Sequence, residues 1–317
     1  MIRLGYKLSS EEHTASDLVS YARRAEDVGF RFASISDHFH PWIDEQGQSP
    51  FVWSVLGGIA QATERLELVT GVTCPTVRIH PAIVAQAAAT TASMMPGRFA
   101  LGVGSGENLN EHILGDAWPS VSRRLEMLEE AIEVLRALWT GDLVDRRGPH
   151  YTVQNARIYS LPPDPIPIHV AGSGDKSVEL AGKIGDGFIG LAPDDEMLKK
   201  FDAAGGSGKP RYCEVNVCWA KDERTARETV RKYWPVAGLQ GQLMQELALP
   251  SHFERAVEPI PEGAMVETIA CGPDPDEHIE AIRTFERAGY DHIWVHQIGP
   301  DQNGFFDFYA SLVMPKL

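Results

Sequence analysis

The sequence predicts an α/β chain closed into a (β/α)8, or TIM, barrel, and three observations carry that expectation. Short apolar segments recur eight times along the 317 residues. A helical stretch or a polar connection separates each from the next. The segment ends, rather than their bodies, carry the small and polar residues. Near-continuous apolar runs of this length mark parallel strands buried on both faces. They fall at 2–6, 32–36, 66–72, 99–103, 166–171, 187–191, 212–219 and 292–296. An open doubly wound sheet is the competing architecture. It lacks the G-x-G-x-x-G turn that would open a helix after the first strand. Gly102-Val-Gly-Ser-Gly-Glu comes near that pattern, but it follows the fourth strand and lacks the third glycine.

Each element has its own signal. The first strand starts at residue 2 without a signal peptide before it and ends at Lys7, with Glu11 nearby. A helix at 14–28 starts at Ser16/Asp17 and stops at Gly29. The second strand runs into Asp37, His38, His40 and Trp42, set around Pro41. The third ends in Gly71-Val-Thr-Cys-Pro-Thr76, ahead of an alanine-rich helix at 81–94. The fourth opens into Gly104-Ser-Gly-Glu107 and a short helix start at 108–113. The stretch 120–138 puts Leu125, Leu128, Ala131, Ile132, Leu135 and Leu138 on one helical face. Residues 140–165 read as a hairpin and linker. The fifth strand ends in Gly172-Ser-Gly174, before a helix at 177–183. A long helical insertion at 221–272 follows the seventh strand. A helix at 275–288 stops at Gly289 and leads to the eighth. The chain reads as one domain, 1–317, whose two insertions lie on the C-terminal face, where long loops shape substrate pockets.

Composition narrows the function. The chain is 43% hydrophobic and carries a net charge of −15. An acidic surface argues against nucleic-acid or anionic-membrane partners, and no apolar run is long enough to span a bilayer. Cys74, Cys213, Cys218 and Cys271 form no CxxC pair, which fits a reducing cytoplasm. The remaining histidines show no ligand spacing, so no metal is expected. Without a G-x-S-x-G elbow, hydrolase chemistry has little support.

Active sites of barrels lie at the C-terminal ends of the strands. His38 stands at such an end and could take a proton from a substrate hydroxyl. Asp37 points the other way along an extended chain, which suits a cofactor contact or a hydrogen-bond anchor. Satisfying loop backbone is the competing reading for both. Trp42 covers a ring or packs the loop; His40 reads as structural. Gly71-Val72-Thr73 interrupts a strand, as a bulge or a close ligand approach does. Glu107 serves either as acid or base toward a cofactor nitrogen or as a first-turn helix charge. The turns 104–107 and 172–177 present free N–H groups that suit an anionic ligand.

At these residues the chain resembles the luciferase-like barrel oxidoreductases, and within them the coenzyme F420-dependent group that includes glucose-6-phosphate dehydrogenases. The resemblance rests on Leu4-Gly-Tyr-Lys7, Ser36-Asp-His-Phe-His-Pro-Trp42, Thr70-Gly-Val-Thr-Cys-Pro-Thr76, Gly102-Val-Gly-Ser-Gly-Glu-Asn-Leu-Asn-Glu111 and Ala181-Gly-Lys-Ile-Gly-Asp-Gly-Phe188. It implies a bacterial luciferase-like barrel and F420, a deazaflavin, as cofactor. His38 would exchange a proton with the substrate alcohol, Glu107 with the deazaflavin ring, and Trp42 would hold the charge between them. Asp37, Gly71, Val72, Cys74, Ser105, Gly106 and Asn110 would contact the ring and ribityl chain, with a cis peptide at Gly71–Val72. Ser173, Gly174, Lys176 and Ser177 would bind the cofactor phosphate.

The substrate side would be lined by Glu11, Leu191, Asp194 and Arg255. Relatives acting on glucose 6-phosphate carry a Thr and a Lys near the positions of Leu191 and Asp194. A sugar phosphate, a neutral sugar and another alcohol therefore all stay open as substrates. A homodimer is implied as well. A flavin mononucleotide monooxygenase and a non-catalytic cofactor-binding barrel are the alternatives.

Overall fold

A computed structural model describes residues 2–317 except Gln240 and the Glu262 side chain. In chain order the elements are β1 (Arg3–Leu8), α1 (Ala15–Val28), β2 (Phe32–Ile35), α2 (Val52–Ala62), β3 (Glu67–Thr70), α3 (Pro81–Met94), β4 (Phe99–Val103), α4 (Asn108–Glu111) and α5 (Val121–Leu138). A hairpin, β5 (Val144–Arg147) and β6 (Thr152–Ala156), follows. Then come β7 (Ile168–Ala171), α6 (Asp175–Ile184), β8 (Gly187–Gly190), α7 (Asp195–Phe201) and β9 (Arg211–Cys218). The insertion holds α8 (Glu223–Tyr233), α9 (Leu243–Glu246), α10 (Pro250–Val257), α11 (Glu262–Val266) and the short β10 (Ala270–Cys271). Last are α12 (Pro275–Ala288), β11 (His292–Gln297) and α13 (Gln302–Phe308).

Eight parallel strands, β1-β2-β3-β4-β7-β8-β9-β11, bond in that order, and β11 pairs β1 to close the barrel. The expected (β/α)8 architecture is therefore the observed one, and all eight expected strands are in it. β10 adds to the end of β9, with Ala270 opposite Val217. Strand alternation separates two environments. Tyr6 and Leu8 of β1 pack outward into the core shared with the helices. Gly5 and Lys7 face inward, toward Phe32 and Glu214. The middle of the barrel is plugged by Phe32, Val69, Ile189, Tyr212 and Trp294. Polar side chains take over above that layer, toward the C-terminal ends.

Helix boundaries follow local chemistry. The start of α1 is capped by Thr14, whose hydroxyl accepts from the Asp17 N–H, rather than by Ser16 or Asp17. Gly29, at φ 105°, ends it. Helix α2 has no counterpart in the sequence reading. It is apolar almost all round and carries Gly57-Gly58 in its middle, so no single stripe stands out. The glycines have a packing reason, since a Cβ on Gly58 would sit 2.9 Å from Val19 of α1. The insertion closes over the C-terminal mouth with its own apolar cluster. Phe253, Val257, Met265 and Ile269 join Trp42, Ile43 and Leu109 there. Among the described residues no helix is long and apolar enough to cross a membrane.

Candidate active site

Register brings the first three strand ends together. β1 and β2 align Leu8 with Ile35, so the β1–α1 turn lies beside the residues after β2. Ser10 locks that turn through its N–H to Ser36 Oγ (3.0 Å) and its hydroxyl to the Ser36 carbonyl (2.8 Å). The lock drops Glu11 beneath His38. His38 Nε2 lies 3.4 Å from Glu11 Oε1 and 3.4 Å from Glu107 Oε2. His38 Nδ1 is 3.1 Å from the His40 carbonyl. A carbonyl only accepts, so Nδ1 carries the hydrogen and Nε2 is left as the acceptor in the neutral ring. Trp42 meets the imidazole edge-on at 4.9 Å, and Phe253 of the insertion backs it at 5.3 Å.

The two carboxylates differ in kind. Burial pushes Glu11 up, but His38, Lys7 and the Ser36 hydroxyl outweigh it and bring Glu11 down to about 2. Ser36 Oγ donates to Glu11 Oε2 at 2.6 Å and Ser9 Oγ to the same oxygen at 3.1 Å. Burial raises Glu107, the charge of Glu11 adds to it, and His38 with Asn110 offsets it only partly. Glu107 is the accessible member of the pair, its side chain 32% exposed against 3% for Glu11. One site thus holds a fixed anion and a carboxyl that keeps its proton more readily.

Asn110 ties the β4 loop to the β2 loop. Its Oδ1 accepts from the Phe39 N–H (2.9 Å) and the His40 N–H (3.2 Å), and its Nδ2 donates to Glu107 Oε2 (3.0 Å). Behind it, Asp37 accepts from Thr73 Oγ1 at 2.9 Å and from Arg78 Nη2 at 2.7 Å. Both Asp37 oxygens are taken and its side chain is closed to solvent. That corrects the expected ring contact: Asp37 is the hydrogen-bond anchor. Arg78 also reaches Glu111, so one guanidinium pins three loops.

The half-buried strip Gly71, Val72, Ser105 and Gly106 forms a surface without bulk beside Glu107. The Gly71–Val72 peptide is cis, and the Gly71 carbonyl accepts from Lys7 Nζ at 3.0 Å. Gly106 has φ 86°, and a Cβ there would strike Cys74 Sγ at 2.5 Å. Cys74 is buried behind this strip, its Sγ 2.9 Å from Thr76 Oγ1. At the end of β7, Ser173, Gly174 and Lys176 are exposed around the start of α6. Ser177 is used locally, exchanging hydrogen bonds with Gly174. The residues present fit a flat ring over 71–72 and 104–106, with an anionic tail at the α6 N-terminus.

The expected substrate residues are not all gathered. Glu11 is at the centre, as a partner of His38. Leu191 is exposed at the end of β8. Asp194 caps α7, its Oδ1 accepting from the Glu196 and Met197 N–H groups at 3.0 and 3.2 Å, and keeps its carboxylate near the end of β8. Arg255 is exposed on α10. Phe253 of that helix faces Trp42, and a residue two positions on lies roughly 200° around the axis. Arg255 therefore points away from the site.

The sequence reading missed a polar layer inside the barrel. Lys7 Nζ pairs with Glu214 Oε2 at 3.2 Å, and Trp294 Nε1 donates to the same oxygen at 2.8 Å. His296 lies between Asn216 (2.9 Å) and Glu12 (2.7 Å). Burial opposes charge on His296, but Glu12 outweighs it and raises its pKa. The signal was present: Glu214 and Asn216 alternate with Cys213, Val215 and Val217 in a strand otherwise apolar, so one face of β9 is polar.

Comparison with known proteins places this geometry. The luciferase-like monooxygenase family model matches residues 1–292. A relative from Nakamurella multipartita, named F420-dependent glucose-6-phosphate dehydrogenase, is 37% identical over 100% of this chain and 96% of its own. One of the same name from Beutenbergia cavernae is 37% identical, covering 100% and 98%. Among solved structures, an F420-dependent secondary alcohol dehydrogenase in complex with an F420–acetone adduct superposes with a TM-score of 0.91, at 32% identity over 99% and 98% of the two chains. The F420-dependent tetrahydromethanopterin reductase of Methanopyrus kandleri shares the fold, with a TM-score of 0.79 at 21% identity. A family match across most of the chain, joined by full-length relatives, means that this chain belongs to the luciferase-like family of barrel oxidoreductases.

Proposed function

We propose that the protein is an F420-dependent dehydrogenase acting on the CH–OH group of an alcohol. The observation that carries this is His38 Nε2, set 3.4 Å from both Glu11, held low, and Glu107, held high, beside a flat glycine-lined strip. When bound, F420 would supply the hydride acceptor for the alcohol carbon. His38 Nε2 accepts the hydroxyl proton, and Glu11 stabilises the imidazolium that results. Glu107, whose carboxyl burial raises above the ordinary carboxylate value, is the group placed to exchange a proton with a ring nitrogen. Trp42 covers His38 and excludes water. Gly71, Val72, Ser105 and Gly106 would hold the ring, Ser173, Gly174 and Lys176 the tail, and Cys74 and Asn110 would support them from behind.

An uncharged alcohol fits better than a sugar phosphate. A phosphate near the end of β8 would meet Asp194, and the α7 lysines are already paired: Lys199 with Asp195 and Glu196, Lys200 with Asp175. The four free, buried cysteines support a cytoplasmic setting. The uncharged outer faces of α2 and α3 support a homodimer.

Quenching of tryptophan fluorescence by F420 and by flavin mononucleotide tests the cofactor. Loss of F420 absorbance with 2-propanol and with glucose 6-phosphate tests the substrate. F420 should bind in preference to flavin, and 2-propanol should turn over faster. His38→Ala should lose about 10²–10⁴-fold in turnover while F420 affinity stays nearly unchanged. Preference for flavin with substrate-dependent oxygen uptake would replace this reading by a monooxygenase.

A further inference from the structure

At the other end of the barrel, around the N-terminal ends of the strands, lies a cavity of about 630 Å³. Arg3, Phe32, Glu67, Phe99, Tyr212 and His292 are among its walls, with the linker before β7 along one side. Its size falls within the usual range of small-molecule sites, about 300–1,000 Å³. The plug of Val69, Ile189 and Trp294 lies between it and the Lys7–Glu214 layer. An occupant here would therefore not touch the His38 site.

The lining is aromatic and flat. Tyr212 stands 4.3 Å from His292, 4.7 Å from His169 and 5.6 Å from Phe32 between ring centroids. Pro162, Pro165, Pro167 and Pro210 also line the cavity. Such surfaces stack on planar rings. Two uncharged polar groups in the lining have no hydrogen-bond partner, and only one of them is accessible. His169 is 3% exposed and its Nδ1 has no hydrogen-bond partner. It is accommodated only because residue 187 is glycine, where a Cβ would lie 2.4 Å from that nitrogen. Burial lowers His169 to about 4, so the ring is neutral at physiological pH. The Tyr212 hydroxyl likewise makes no hydrogen bond among the described residues. His169 Nδ1 is closed off against Gly187, whereas the Tyr212 hydroxyl is not among the closed-off polar atoms and can pair with a ligand.

Charge selects further. Arg3 is engaged by Glu67 and His292. Arg98 is engaged by Thr63 and the Leu66 carbonyl. Asp164 and Asp186 add carboxylates to the rim. An anion would meet these carboxylates and find no unengaged arginine in the lining.

We propose that this well is a second binding site, which takes an uncharged aromatic molecule of one or two rings bearing a hydroxyl or a ring N–H. The rings stack against Tyr212, Phe32 and the prolines, and the polar edge pairs with the Tyr212 hydroxyl.

The test is equilibrium dialysis of 2-naphthol against the full chain, with and without F420, using naphthalene-2-sulfonate as the anionic counterpart. One saturable site for 2-naphthol is expected, unchanged by F420, with at least about tenfold weaker binding of the sulfonate. Ala100 also lines the well, and Ala100→Leu, which adds bulk there, should weaken binding about tenfold. Tyr212→Phe, which removes only the hydroxyl, should weaken it about two- to tenfold. Neither residue belongs to the His38 site, so turnover serves as the control for folding. Absence of saturable binding, competition with F420, equal affinity for the sulfonate, or binding unchanged in Tyr212→Phe would each overturn the proposal.

Discussion

Glu11 and Glu107 share one imidazole nitrogen, and their surroundings drive them in opposite directions. Glu11 is held near 2 against an ordinary value of 4.5, so its charge stabilises the folded chain. That contribution is complete above about pH 4.5 and is lost as pH falls toward 2. It amounts to about 3 kcal/mol. Glu11→Gln should therefore flatten the acid limb. Between pH 5 and pH 3 the urea midpoint of the parent should fall more than that of the variant, and equal falls would remove the ionised Glu11 from the account. Glu107 has the opposite sign. Its raised pKa means that the protonated form is the better tolerated in the fold. The stability this gives is present below pH 4.5 and is lost as pH rises through the folded value. At pH 8, Glu107→Gln should therefore be at least as stable as the parent in urea while losing most of its turnover. His38 and Glu107 were readable from the sequence because each ends an apolar strand. The placement of Glu11 under His38 was not, since it depends on the β1–β2 register and on two hydrogen bonds from Ser10 to Ser36.

Between elements, the site is held by side chains that bridge strand-end loops. Asn110 serves two part-buried backbone donors on the β2 loop and orients Glu107 as well. Asn110→Ala leaves those donors without this acceptor, which costs about 1 kcal/mol. It also frees the loop that carries His38. Turnover should drop about tenfold or more with far-UV circular dichroism unchanged, whereas unaltered turnover would show that the β2 loop holds its shape alone. At this scale strands were more legible than helix ends and caps. Apolar runs mark a two-sided buried strand directly. A carboxylate such as Asp194 reads equally well as a ligand contact or as a helix cap, and only the backbone direction after β8 decides. Helix α2 escaped because a helix buried on most sides has little amphipathic contrast.

Across the whole molecule, charge is distributed unevenly. The chain is 23% charged, yet α2 and α3 contain no Asp, Glu, Lys or Arg in their combined sequences VWSVLGGIAQA and PAIVAQAAATTASM. Their outward positions include Ser54, Gln61, Ile83, Gln86, Thr90 and Met94, and Ile83 is 59% exposed. The two helices lie side by side, Gly57 close to Met94. Every other barrel helix of ten or more residues carries several charges: α1 has Asp17, Arg23, Arg24, Glu26 and Asp27, and α12 alternates acids with arginines. A chain with net charge −15 repels copies of itself over most of its surface. A contiguous uncharged face, with small residues that let helices approach closely, is where a second copy can dock, and a two-fold axis through it makes the contact self-complementary. The parent should sediment at twice the chain mass of 34.9 kDa. Ile83→Glu places a carboxylate on each side of that axis, where the two must be desolvated together. It should shift the protein to monomer at micromolar concentration without loss of circular dichroism. A parent that sediments as a monomer, or a variant that stays dimeric, would move the interface elsewhere and leave the uncharged face of α2 and α3 without a partner.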